Sequence, residues 1–318
     1  MIKKYVKTLT LFVAVCALAL TGGTVLTGCG RNNTQPDIVV TVFPAYDWVM
    51  NILGDNPGDL SVKYLLSNGV DLHNYSPSVR DIASIKTAKL FIYVGGESDN
   101  WAANVLENAN ENIRTVRLMD YADDHDDHEH EDHEDEHVWL SPHNARHMTG
   151  PIRNAIREID AANADVYNAN TTSYNLQLRF LENAFMSVFN LEHSSRTIGD
   201  IVFADRFPFE SLFTIEGDGE ITVHAAFNSC SAEAEMPVGR PAELARVITD
   251  NNLKVILVIS DTRLANTVKT TAEGLGATNL RIIKMYDGQS VSQKDINNGM
   301  TYLSFMTKNL EALIQALA

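Results

Sequence analysis

The chain is poor in cysteine, in basic residues and in long apolar runs, and each shortage removes a class of protein. Its three cysteines are Cys16, Cys29 and Cys230. The first two lie in or at the edge of a leader, so a single thiol is left and no disulfide can staple the body, which must be held by its core. Lysine and arginine number 25 against 41 aspartates and glutamates, a formal charge of −16. Such acidity excludes nucleic acid as a partner and favours cations. The apolar run from Leu9 to Leu20 falls short of the roughly 20 residues that cross a bilayer. The one His-Glu-x-x-His match, His133 to His137, lies in a hydrophilic run with no helical period, and no nucleophile elbow is present, which argues against a metallohydrolase. No short repeat of fixed period points to a solenoid.

What is present begins with Lys3, Lys4 and Lys7, followed by that apolar run and then by Leu26-Thr27-Gly28-Cys29. Basic, apolar and small segments in this order form a secretory signal over 1–28. The last four residues resemble the bacterial lipobox, which makes Cys29 a lipidated N-terminus on the extracytoplasmic face of the cell membrane, with 29–36 as a polar spacer. Without the leader 290 residues remain and the charge becomes −19, because three lysines leave with it.

Beyond the spacer, short β-branched runs alternate with helical periodicity. DIVVTVF, SVKYLL, KLFIYVG and IRTVRL read as strands of a first half, and TIGDIVF, ITVHAAF, KVILVIS and LRIIKM as strands of a second. Helical segments between them predict two α/β halves with mostly parallel sheets. Between the halves, Tyr167, Tyr174, Leu178, Leu181, Phe185 and Phe189 hold one apolar stripe along a helix of nearly thirty residues. Such a helix spans roughly 40 Å at 1.5 Å per residue, enough to pass from one lobe to another or to cover a single one.

The histidines are uneven. His125, His128, His130, His133 and His137 crowd one window, in which Asp120 to Glu136 supplies eleven carboxylates. The stretch 120–136 has too little apolar surface to fold alone. It reads equally as a solvated acidic linker or as an accessory metal-collecting loop built on His125, His128, His130 and His133. His137 differs, because Val138-Trp139-Leu140-Ser141-Pro142 follows it and should order the backbone there. His73 sits in a loop after the strand SVKYLL, at the end of an open sheet where ligands bind. Each is a metal candidate on its chemistry alone.

The segments VTVFPAYDWV, GVDLHNYSPSVRDI, KLFIYVGGESDNWAANVL, DEHVWLSPHNARHM, YNANTTSYNLQL and TYLSFMTKNLEALIQAL, in this order, resemble the zinc and manganese solute-binding proteins of bacterial ABC importers. The acidic His-rich stretch before His-Val-Trp-Leu-Ser-Pro is similar to the zinc-specific branch. The resemblance implies an N-terminal lobe over 37–160, a rigid linking helix over 161–192 and a C-terminal lobe over 193–318, with metal in the cleft between them. It also implies a monomer that delivers its metal to a permease and its ATPase, without catalysis.

Carried over, the resemblance makes His73 the first ligand and His137 the second. In the second lobe the expected ligand slot holds Ala204, with Asp205 one residue later. The usual C-terminal carboxylate corresponds to the neighbourhood of Asp287. His224, Cys230 and Glu233 are further donors by chemistry. Zinc suits two imidazoles, whereas an oxygen-rich second lobe leaves manganese or another divalent ion open. A metal-sequestering surface lipoprotein or adhesin on the same fold is a further reading.

Overall fold

The computed structural model describes residues 35–55, 60–123, 135–189, 199–217, 221–227, 236–260 and 262–318. Cys29 and the leader, His125, His128, His130 and His133, and Cys230 and Glu233 lie outside them. Among the described residues no helix is long and apolar enough to cross a membrane.

Each predicted strand segment contains one strand: β1 (Ile38–Val40), β2 (Val62–Tyr64), β3 (Leu90–Tyr93) and β4 (Arg114–Arg117), then β5 (Asp200–Phe203), β6 (Thr222–Ala225), β7 (Val255–Val258) and β8 (Arg281–Lys284). They form two four-stranded sheets, ordered β2-β1-β3-β4 and β6-β5-β7-β8, and every pairing is parallel. The two orders are the same: the chain starts inside the sheet, adds one neighbour, then jumps to the other side. Loops leaving the C-terminal ends at such a reversal leave a crevice between them.

The helices are α1 (Phe43–Leu53), α2 (Val79–Thr87), α3 (Trp101–Leu106), α4 (Pro142–Ile159), α5 (Ala164–Phe189), α6 (Glu210–Ile215), α7 (Arg240–Asp250), α8 (Thr262–Gly274), α9 (Gln293–Asn297) and α10 (Tyr302–Ala316). Buried β-branched residues explain the central strands, since β1 and β7 are covered on both faces. Val39, Ile85, Phe91 and Val105 build the first core. Val202, Leu244, Ile256 and Val268 build the second. The short helices α6 and α9 went unread because each makes barely more than a turn and shows no period.

The long helix is α5, whose 26 residues rise roughly 39 Å. Near one end Asn170 Nδ2 donates to the Ile52 carbonyl at the close of α1. At the other, Phe189 meets Phe213 of α6 edge to face at 5.1 Å. It therefore runs from the first lobe to the second. The chain also returns: Tyr302 at the start of α10 donates its hydroxyl to the Trp139 carbonyl at 2.8 Å and packs on Trp48 of α1. Before it, Gln293 N donates to the Ser67 carbonyl at 2.7 Å, and the Tyr64 hydroxyl donates to the Val291 carbonyl at 3.0 Å. The segment between β8 and α10 is thus sewn to the first lobe.

The expectation of a structureless 120–136 does not hold at its ends. Leu118–Tyr121 is a turn of 3-10 helix, and Asp123 N donates to Asn144 Oδ1 at 2.9 Å. Asp135 and Glu136, at the other end, are fixed by hydrogen bonds to side chains of both lobes. A hydrophilic run is unable to fold alone, but its ends borrow partners from a finished core.

Candidate metal centre

Every residue of the centre leaves the C-terminal end of a strand: Asp71 and His73 after β2, Ser98 after β3, Asp135 to His137 after β4, Asp287 and Gln289 after β8. Asp71, His73, Asp287 and Gln289 line a cavity of about 470 Å³ together with Ala204, Asp205 and others.

His73 stands in the 3-10 turn Leu72–Asn74, and its own amide donates to the capping Asp71 carboxylate at 2.9 Å. Its Nδ1 lies 2.7 Å from Ser98 Oγ and 3.0 Å from Glu136 Oε1. Glu136 accepts from both the hydroxyl and the amide of Ser98. A side chain at position 96 would run into that carboxylate, which is why glycine follows β3 there. Burial opposes ionisation of Glu136, but His73 and Ser98 outweigh it and hold its carboxyl below the usual range. An ionised partner on Nδ1 fixes the ring orientation and leaves Nε2 as the donor.

His137 repeats the arrangement. Its Nδ1 meets Asp135 Oδ1 at 2.7 Å, and its amide donates to the same oxygen. The other Asp135 oxygen accepts the Ser211 hydroxyl and amide from α6, so this carboxylate also ties the lobes. Burial would depress the 2 % exposed imidazole, but the carboxylates of Asp135, Glu136 and Asp287 outweigh it and raise its pKa.

The two outward nitrogens converge: His73 Nε2 and His137 Nε2 are 3.3 Å apart, with ring planes at 55°. A tetrahedral zinc with bonds of 2.0–2.1 Å has ligand atoms about 3.3 Å apart, so the pair has the edge such an ion needs. Two oxygen-bearing side chains lie beside it. Gln289 Nε2 is 2.8 Å from His137 Nε2, and its buried oxygen has no partner. Asp287 is held by its main chain, whose carbonyl accepts the Trp139 indole N–H at 2.8 Å, and by Gln289 N on Oδ1. Enclosure and the Asp71 charge raise its carboxyl pKa, and His137 offsets only part of this. A cation between these groups would relieve that charge.

The other second-lobe candidates are placed differently. Asp205 also lines the cavity, but one oxygen accepts Arg206 N and the other accepts Ile259 N and Ser260 N at 3.1 and 2.9 Å. It knots the ends of β5 and β7 together. Ala204 is fully buried beside it. His224, on β6, pairs through Nε2 with Asp200 Oδ1 at 2.6 Å and takes no part in the cavity wall.

The profile of one family, described as "Zinc-uptake complex component A periplasmic" (ZnuA), matches residues 38–316. The chain belongs to this family. Among relatives of this ZnuA family, the high-affinity zinc uptake system protein ZnuA of Bacillus subtilis is 26% identical, over 96% of this chain and 94% of its own. The zinc-binding lipoprotein AdcA of Streptococcus pneumoniae is also 26% identical over 96% of this chain, which spans only 60% of AdcA's length. The fold agrees with that of the zinc-bound ZnuA-like domain of the pneumococcal AdcA, with a TM-score of 0.70, 24% identity and coverage of 89% and 99%. It agrees equally with the periplasmic zinc binding protein TroA of Treponema pallidum, with a TM-score of 0.71, 20% identity and coverage of 90% and 100%.

Sequence reasoning missed Ser98, Asp135, Glu136 and Gln289. A signal existed for the middle two: in Asp135-Glu136-His137 the carboxylates adjoin the ordered histidine, and their resemblance to the preceding acidic run concealed them. Gln289 carried none, because an amide in a Gly-Gln-Ser loop looks like any turn.

Proposed function

We propose that the chain binds zinc on the extracytoplasmic side of a bacterial membrane and passes it to an ABC permease driven by its ATPase. The observation that carries the reading is the convergence of His73 Nε2 and His137 Nε2 at 3.3 Å, each ring held from behind by a carboxylate. Asp287 supplies the third donor, and the Gln289 amide, turned over, offers its oxygen or holds a bound water. Asp205 and His224 are left out of the set, because both Asp205 oxygens accept backbone amides and His224 pairs with Asp200 away from the cavity wall. Cys29 anchors the protein by lipid, and the protein acts as a monomer and binds metal without turning over a substrate.

Two imidazoles favour zinc, a borderline ion. The carboxylate and amide oxygens support manganese as the second reading, since harder ions accept such donors. Calorimetric titration, with a competing chelator to isolate the tight site, tests both. Zinc should bind tightly to the native chain and manganese more weakly. His73→Ala and His137→Ala should each abolish the tight zinc site, and unchanged affinity in both would falsify the proposed centre.

A further inference from the structure

A second group of ligating side chains lies outside the cleft. Asp123, His143 and His147 present donor atoms that all lie within 4.8 Å of one another. His143 and His147 are one helical turn apart on α4, with rings stacked at 4.4 Å and 23° between planes. Spacing of four places both imidazoles on one helix face. Asp123 reaches that face from the end of the 3-10 turn after β4, its Oδ2 at 2.7 Å from His143 Nε2.

The decisive feature is behind His143. Its Nδ1 meets Glu182 Oε1 at 2.9 Å, and Glu182 is itself fixed by Arg146, Nε to Oε2 at 3.0 Å. This arrangement repeats what His73 has in Glu136 and His137 in Asp135: a carboxylate on Nδ1 sets the ring and leaves Nε2 as the outward donor. The helix start that carries it is rigid, with Ser141 capping Asn144 N and the His143 amide donating to buried Glu216. We propose that Asp123, His143 and His147 form a second divalent-cation site of the zinc class, on the outside of α4 and sharing no residue with the cleft centre.

Asp123 Oδ2 and His143 Nε2 already lie 2.7 Å apart, inside the roughly 3.3 Å edge of a tetrahedral zinc site, and all three donor atoms fall within 4.8 Å, so a side-chain rotation brings them to an ion. His147 is exposed and can turn, while His143 is the fixed point. Three protein donors leave a fourth position for water, so the ion is exchangeable and held more weakly than in the cleft. In the sequence Asp123 leads directly into the run that holds His125, His128, His130 and His133. The site therefore stands next to that run in the sequence. Its residues differ from those of the proposed zinc centre, so it survives if that reading fails.

Equilibrium dialysis of the full chain against zinc, with metal analysis, tests it. To remove competing imidazoles, His125→Ala, His128→Ala, His130→Ala and His133→Ala form the background. Two zinc ions per chain are expected. His147→Ala should lower this to one while the tight class stays, whereas His73→Ala should remove the tight class and keep the weaker ion. Unchanged stoichiometry in His147→Ala overturns the proposal. In crystals soaked in zinc, anomalous density beside His143 Nε2 supports it, and density confined to the cleft refutes it.

Discussion

The two lobes have the same strand order and present the same strand ends to the cleft, yet they contribute unlike chemistry. The first lobe offers imidazoles whose orientation is set in advance by Glu136 and Asp135. In the second, the end of β5 is occupied by Ala204 and by an Asp205 already used up on backbone amides. Its contribution comes instead from the loop after β8, and that loop is sewn to the first lobe through Trp139 and through the segment leading to α10. Topology decides where a site can be, and the loops decide what it is. The donors proposed for the metal thus belong, mechanically, mostly to one side, and movement of the remaining second lobe would cover or uncover them rather than assemble them.

The strongest way to break this comparison is to remove the donor that reaches across. Burial raises the Asp287 carboxyl pKa, so above the ordinary carboxylate range its ionised form subtracts stability from the metal-free fold. Asp287→Asn should therefore raise the melting temperature of metal-free protein. The same change should weaken zinc binding by more than the 10–100-fold typical of losing an outer partner, and shrink the melting shift that zinc produces. Thermal melts with and without zinc read both signs at once. A variant with undiminished zinc stabilisation would show that the second lobe's donor lies elsewhere.

A smaller effect is expected behind His137. Its imidazole pKa is raised mainly by Asp135 against the pull of burial. A raised folded-state pKa stabilises the metal-free protein below the unfolded value near 6.5, and that stability is lost as pH rises through the folded value. Zinc needs the neutral ring, so zinc affinity should fall as pH drops through the same folded value. Asp135→Asn removes the largest of the contributions that raise this pKa, so the pKa should fall. The acid limb of zinc binding should move to lower pH, while affinity at neutral pH drops roughly 10–100-fold with the loss of an orienting partner. Titrations between pH 5 and 8 distinguish this from a merely structural loss, which would lower affinity without moving the limb.

The fold was legible because its strands are short apolar runs separated by periodic helices, and each run stayed a strand on folding. His73 and His137 stood out as candidates because apolar neighbours and turn residues flank each of them, and the structure brings their rings together. What could not be read was partnership. Glu136 looks like ten other carboxylates in its run until β3 brings Ser98 and Gly96 against it. Asp205 and Asp287 look interchangeable until the amides of Ile259 and Ser260 claim one of them. Such assignments depend on contacts between residues 38 to 55 apart in the chain, which no local pattern encodes.

Asp205 sharpens the comparison last, and by the least. Its two carboxylate oxygens accept three backbone N–H groups at the ends of β5 and β7, and the side chain is only 8 % exposed. Asp205→Ala leaves those donors unsatisfied beside the cavity, a loss of about 1–3 kcal/mol of stability by chemical denaturation. Zinc affinity should stay within a few-fold of native, because the oxygens were never free to coordinate. If affinity instead collapsed as in Asp287→Asn, the β5 end would be a ligand position after all, and the two lobes would be chemically more alike than their hydrogen bonds make them.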